Sequence, residues 1–262
     1  MEIKWYGTNA LEFRCANGTD FAIDLYVSRS RERLHLPDEV DKYVTTRPQW
    51  ILMTHAHWDH LADMPRIIAK TGAVLHASPT ACNIMRALAV PERNLREIRN
   101  GDRLELPGGV VAEVLESRHM GLDEEAPGYD APPPRETLAE ADNWRCGEVF
   151  AFLLRADGLR ILNAGSANLL ESAMRETECD YFLCGISRWR DGFPHLLRRA
   201  VKFRCLIPTH HDEFRRPLAE FSLRDDLQRL QEALPGLNAW QLPPLTWTSL
   251  PCPPPNLPLK IQ

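Results

Sequence analysis

The chain has 262 residues, of which 44% are hydrophobic and 26% charged, an ordinary balance for a globular protein with a substantial core. A net charge of −5 argues against a duplex-binding protein, so no nucleic-acid partner is expected. There is no run of about 18 apolar residues, and "MEIKWYGTNALEF" has no basic region leading into an apolar run and a cleavage site, so neither a membrane span nor a secretory signal is expected and the location reads as cytoplasmic.

In chain order, "EIKWYG", "LEFRCA" and "TDFAIDLYV" read as strands separated by turn residues, which predicts antiparallel pairing. A charge-rich loop is expected from Ser28 to about Pro48. "QWILMTH" then reads as a buried strand, "ADMPRIIAKTG" as a helix ending at Gly72, and "AVLHAS" as the next strand. Ser78 before Pro79 predicts an N-cap followed by proline at the first helical position, opening "PTACNIMRALAV". "DRLELPG" and "VVAEVLESRH" read as strands joined by a Gly-Gly turn. Residues 121–147 are acidic, carry four prolines and show little periodicity, so they read as a lid or insertion. Regular patterning then resumes. "EVFAFLLRA" and "LRILNAG" predict a hairpin around Asp157-Gly158, and "NLLESAMRET" a helix. "CDYFLCG" and "RCLIPTHH" predict strands, "FPHLLRRAVKF" and "LRDDLQRLQEAL" helices, and a proline-rich tail from about Pro235 is expected to run over the surface. The seven cysteines are odd in number, scattered and free of any CxxC pair, which predicts free and mostly buried thiols.

The stretch "THAHWDHLAD" places three of the nine histidines and an aspartate between His55 and His60. Imidazole nitrogen and carboxylate oxygen suit Zn²⁺ and related ions. In an extended segment alternate side chains share a face, so His55 and His57 can serve one ion while Asp59 and His60 turn towards another. The cluster also follows a buried strand, where open α/β sheets place ligand sites.

His55-x-His57-x-Asp59-His60 after an apolar strand resembles the metal motif of the metallo-β-lactamase fold superfamily. The resemblance runs from about residue 1 to residue 215. It implies an α/β fold, an αββα sandwich of two mixed β-sheets flanked by helices, as a single domain over residues 1–262 with two metal sites at one edge. On this resemblance the first ion takes His55, His57 and His119 of "EVLESRHMG", and the second takes Asp59, His60 and His210 of "RCLIPTHHDEF". Zn²⁺ is the implied metal, as one or two ions, with Mn²⁺ or Fe as alternatives. A finer similarity is to the branch that contains L-ascorbate-6-phosphate lactonase and N-acyl-phosphatidylethanolamine phospholipase D, through "WYGTNALEF", "FAIDLYVS" and "PTHHDEF". Thr8 stands where that branch often has histidine, and Leu25 where it has proline. Asp24 is similar to the family's strand-end aspartate, which implies that it orients the histidine motif.

At "LNAGSANLL" the family pattern implies an aspartate bridging both ions, and Ser166 occupies that position. Three outcomes follow: two ions bridged without that carboxylate, one ion, or a site that no longer hydrolyses. With two ions, the lost charge predicts unequal affinities. His211 adjoins His210 and is a candidate for a supporting or substrate-facing role. "SRWRDGF" makes Arg188 and Arg190, with Trp189, candidates for gripping an anionic or planar substrate. His35, His76 and His195 carry no motif, and "RSRER" at 29–33 reads as a polar face.

The chemistry expected is metal-dependent hydrolysis in which a metal-bound hydroxide cleaves a lactone, ester or phosphodiester bond of a small cytoplasmic metabolite. Asp59 would be both ligand and orienting group for the nucleophile. The alternatives are a metal-binding or sensing module on the same fold, or an iron-dependent redox enzyme. Assembly into a homo-oligomer is left open by the sequence.

Overall fold

The computed structural model describes residues 1–30, 36–121 and 127–254. His35, part of the 29–33 run, part of the 121–147 segment and the end of the proline-rich tail lie outside the described residues. Thirteen strands form two sheets among the described residues. The first sheet contains β1 (Glu2–Trp5), β2 (Leu11–Arg14), β3 (Asp20–Ile23), β4 (Trp50–Leu52), β5 (Val74–Ala77) and β6 (Leu95–Glu97). The second contains β7 (Arg103–Leu106), β8 (Val110–Glu116), β9 (Phe150–Ala156), β10 (Leu159–Ala164), β11 (Glu178–Gly185) and β12 (Lys202–Thr209), and β13 (Thr248–Ser249) returns to the first beside β1.

Both sheets are mixed. β1, β2 and β3 pair antiparallel, and β3 through β6 run parallel. In the second sheet β7 through β10 form an antiparallel meander, continued in parallel by β11 and β12. The sequence dictates the facing of these strands through its alternation. Leu11 and Phe13 enter the inter-sheet core, where the rings of Phe13, Phe21 and Trp50 stack in series at 4.7 and 4.1 Å. Glu12, between them, turns to the opposite face and accepts the hydroxyls of Tyr6 and Thr46.

Helices cover the outer faces. On the first sheet lie α1 (Pro37–Tyr43), the single turn α2 (Trp58–Leu61), α3 (Met64–Thr71) and α4 (Pro79–Ala87), sharing an apolar cluster that includes Val40, Leu61, Ile67 and Ile84. The second sheet is covered by α5 (Glu171–Met174), α6 (Phe193–Ala200) and α7 (Asp226–Ala233), around Met174, Leu197 and Leu230. Helix, sheet, sheet, helix is therefore the layer order, as expected. The Ser78 hydroxyl accepts the Ala81 N–H at the start of α4, and Gly72 ends α3 in the left-handed region. No described helix is long and apolar enough to cross a membrane.

Several local expectations change. The charge-rich stretch before Pro48 contains α1, anchored by buried Val40 beneath an otherwise polar surface. The short strand β6 was not foreseen, because "LRE" buries one residue in three. The proline-rich tail does not simply run over the surface. Its prolines cannot donate to a ladder, but Ala239, Leu242 and Leu250 between them are buried, and the Leu245 N–H donates to Trp5 O. Arg29 also departs from the polar-face reading. Its guanidinium is fully buried and pairs with Asp212 at 2.7 Å, and it donates to Glu213 O at 2.8 Å. Gly7, at φ 94°, packs directly against this pair, and a Cβ there would run into Arg29. Six of the seven cysteines are buried and none is bonded to another, while Cys252 is exposed.

Removing one partner of a buried ion pair leaves the other charge uncompensated. Arg29→Leu is expected to lower unfolding stability by about 3–5 kcal/mol. The double change Arg29→Leu with Asp212→Leu should recover a large part of it. Urea denaturation of the three chains checks this, and equal losses in single and double variants would refute the pairing account.

Candidate metal centre

The candidate residues come from one edge of the sandwich, at the ends of five strands. Asp24 follows β3, the histidine segment follows β4, His119 follows β8, Ser166 follows β10 and His210 follows β12. His57 is the N-cap of α2, so that single turn carries Asp59 and His60 away from the strand direction. Two sets of three donor atoms result, each set within 4.8 Å: His55, His57 and His119, and Asp59, His60 and His210. The six residues named from the sequence are thus brought together at this edge.

The orientation of the imidazoles follows from groups behind them. The Asp24 carboxylate is fully buried and accepts from Thr54 N at 2.7 Å, Asn9 Nδ2 at 2.8 Å, His60 Nδ1 at 2.8 Å and the Thr54 hydroxyl. Since that hydroxyl donates to Asp24, it accepts from His55 Nδ1, 3.0 Å away. His119 Nδ1 donates to Met120 O at 3.0 Å. In all three rings Nδ1 therefore carries the proton and Nε2 keeps its lone pair. Asp24, His55 and His60 also lie close enough to form a third donor set. Four hydrogen bonds already occupy the Asp24 carboxylate, three of them from Thr54 and His60 in the histidine segment.

His210 sits at φ 54°, a left-handed conformation unusual for a residue with a side chain. Its N–H donates to Thr8 O at 2.7 Å, and Thr8 N in turn donates to Asp212 Oδ1 at 2.8 Å. The buried Arg29–Asp212 pair thereby fixes the turn that presents His210. Gly165 allows the end of β10 to approach the histidine segment, since a Cβ there would collide with the Thr54 hydroxyl.

Burial is the main influence on the imidazoles. It pushes His119 down to about 3, aided by the neighbouring His57, and holds His55 and His57 below the ordinary histidine range. Burial alone would raise Asp59, but His60 and the hydrogen bond from His210 outweigh it and hold this carboxyl below its usual range. His60 runs the other way, because Asp24 and Asp59 overcome its desolvation. His55, His57 and His119 thus offer neutral imidazole nitrogens close to the ionised Asp59 carboxylate. His55 Nε2 and His210 Nδ1 are buried without a hydrogen-bond partner. Unpartnered nitrogens beside a carboxylate fit a bound divalent cation.

A cavity of about 170 Å³ opens on the cluster and is lined by His57, Asp59, His119, Ser166, Arg188 and His210, among others. A larger one of about 710 Å³ meets it at His119, bounded by the start of α4, the end of β8 and residues 128–130. The described part of the 121–147 segment supports the histidine loop, with Ala56 N donating to Cys146 O at 3.0 Å, while Leu138 and Trp144 join the core under the first sheet.

Ser166 Oγ accepts the Met120 N–H at 2.8 Å, and the carbonyl of that same residue accepts from His119 Nδ1. Arg188 reaches the smaller cavity, whereas Arg190 stands against Gly121 outside it. Trp189 turns away, donating to Asp226 O under the Arg229 guanidinium. His211 does not face substrate: it is fully buried and stacked on Trp5 at 5.0 Å. Asn9, Thr54, Asn163, Thr209 and Asp212 were missed, because single polar residues at strand ends carry no pattern. The succession of turn and strand-end positions at Asn9 and Thr54 was the available signal.

If Ser166 steadies the His119 peptide, Ser166→Ala should weaken metal binding about tenfold while Asp24→Asn weakens it by about 10–100-fold. Chelator competition measures both. Unchanged affinity in Ser166→Ala would show that the Met120 contact is without consequence.

A model of the beta-lactamase superfamily domain matches residues 19–210. A UPF0173 metal-dependent hydrolase of Methanopyrus kandleri is 32% identical over 114 residues, covering 44% of this chain and 46% of that protein. Another, from Pyrobaculum arsenaticum, is 25% identical over 141 residues, 54% of this chain and 60% of that protein. The matched regions thus span about half the length of these curated relatives. Among solved structures, Igni18, a metallo hydrolase of Ignicoccus hospitalis, has a TM-score of 0.60 at 15% identity over 94% of this chain and 97% of that one. The metallo-beta-lactamase fold protein YhfI of Bacillus subtilis has 0.61 at 11% identity, over 94% and 98%. Zn²⁺-bound PqqB of Methylobacterium extorquens has 0.52 at 10% identity, over 92% and 87%. These structural likenesses establish the fold. With the domain match spanning β3 to the end of β12, the chain belongs to the beta-lactamase superfamily.

Proposed function

We propose that the protein is a metal-dependent hydrolase acting on a small-molecule lactone, ester or phosphodiester. The observation that carries the reading is the pair of three-donor sets, His55/His57/His119 and Asp59/His60/His210, opening on one cavity. The UPF0173 relatives, named metal-dependent hydrolases, support it. The similarity of the strand ends to the lactonase and phospholipase D branch favours a lactone or phosphodiester. Imidazole and carboxylate donors favour zinc.

A divalent ion bound here would supply a Lewis acid and lower the pKa of its water from 15.7 towards roughly 7. The chain's own groups do the rest. Asp59, held ionised by His60 and His210, is the acceptor placed to orient an attacking water. Asp24, Thr54 and Met120 lock three imidazoles with Nε2 as the donor atom. The larger cavity beside His119 gives room for the substrate away from the reacting bond. No Ser, Cys or Lys nucleophile is needed.

Elemental analysis of the purified protein is expected to give two metal equivalents, one removed by chelator before the other. Loaded with zinc, the protein should hydrolyse ester, lactone or phosphodiester reporters, and His57→Ala should lose at least about 100-fold. Metal retained without turnover across all three classes would move the reading to a metal-binding module, and visible absorbance with iron content would move it to redox chemistry. Tight and equal binding of both ions would count against the argument from Ser166.

A further inference from the structure

We infer that the site selects substrates bearing an oxyanion, phosphate or carboxylate, held by Arg188 and Arg215 at the mouth of the cavity over the donor cluster. This deepens the hydrolase reading and rests on it. Both arginines line the roughly 170 Å³ cavity with His57, Asp59, His119 and His210, and both are exposed there. Asp59 is the acidic residue in that lining, and His210 already donates to it. Among the described residues neither guanidinium has an ion-pair partner.

The surroundings hold the Arg188 backbone and rest the Arg215 side chain beside an aromatic ring, while neither guanidinium is paired with an acid among the described residues. The Arg188 N–H donates to Asp226 Oδ1 at 3.1 Å, and the residue adopts φ 47°. Asp226, which receives that N–H, is taken up by Arg224 at 2.5 Å, with Arg229 at 3.9 Å. Arg224 also donates to Ser187 Oγ, which closes the loop from the other side. Elsewhere in the lining, Phe214 packs edge-on against His210 with centroids 5.1 Å apart, and the Arg215 guanidinium lies 5.7 Å from the centre of the Phe214 ring. One arginine is thus fixed through α7 and the other through a ring seated on a donor histidine. Two guanidinium groups that line one cavity and have no ion-pair partner among the described residues match an oxyanion, to which planar forks donate in pairs.

The test is calorimetric titration of phenylphosphonate and of benzoate into the zinc-loaded full chain, using wild type, Arg188→Ala, Arg215→Ala, the double variant and Arg216→Ala. Arg216 is an exposed neighbour outside the cavity lining. Each single variant should weaken the tighter of the two ligands about tenfold, the double variant more, and Arg216→Ala less than about twofold. The tighter ligand identifies the oxyanion as phosphate-like or carboxylate. Unchanged affinity in the double variant, or no binding of either ligand to wild type, overturns the inference. Metal content is measured on the same samples. A chain that takes up no metal defeats the hydrolase reading instead, and the same titrations into it still decide for or against the arginines.

Discussion

The geometry of the site hangs on a buried carboxylate that faces no substrate. Asp24 ends β3 with a left-handed turn, and its two oxygens collect four donors from three different parts of the chain. A carboxylate buried under the core is tolerable only when so saturated with hydrogen bonds. Asn9 and Thr54 are themselves committed elsewhere. Asn9 exchanges hydrogen bonds with Asn163 at the end of β10 and accepts from Thr209 at the end of β12. Thr54 accepts from His55. The network therefore ties strand ends of both sheets to the same point, and a shift at any of them would turn an imidazole.

The two halves of the cluster differ in kind. One is built from three imidazoles, two of them with their tautomer fixed from behind; the other mixes an ionised carboxylate with two imidazoles, one of which is linked through Thr8 to the buried Arg29–Asp212 pair. Ser166 faces the cavity between them but uses its hydroxyl to accept a peptide N–H. The charge available to neutralise a second cation is accordingly concentrated in Asp59.

The alternation of apolar residues, the Gly-Gly and Asp-Gly turns and the Ser78-Pro79 helix start are local signals, and they gave most strands and helices directly. The six clustered donors were also readable, because a metal demands residue types that rarely gather by chance. What escaped was set by tertiary context. Arg29 looks like part of a charged surface run, and only Asp212, far along the chain, makes it a buried residue. The tail looks like coil because its prolines hide Leu242 and Leu250 from any periodic pattern. β6 and β13 are too short to carry a period of two, and their existence depends on the neighbouring edge. Asn9 and Thr54 are common turn residues whose importance lies wholly in the carboxylate they meet.

The cysteines carry a last consequence. Burial raises the thiols of Cys15, Cys82, Cys179 and Cys205 to about 11 or 12, and it raises Cys146 and Cys184 as well. A thiol that resists ionisation neither competes for soft metal ions nor reacts with alkylating reagents. Cys252 alone among the seven is exposed, just beyond β13 in the tail that closes the first sheet. The folded chain is thus equipped with one natural attachment point for a fluorophore or spin label, set apart from the donor cluster and usable without removing any other cysteine.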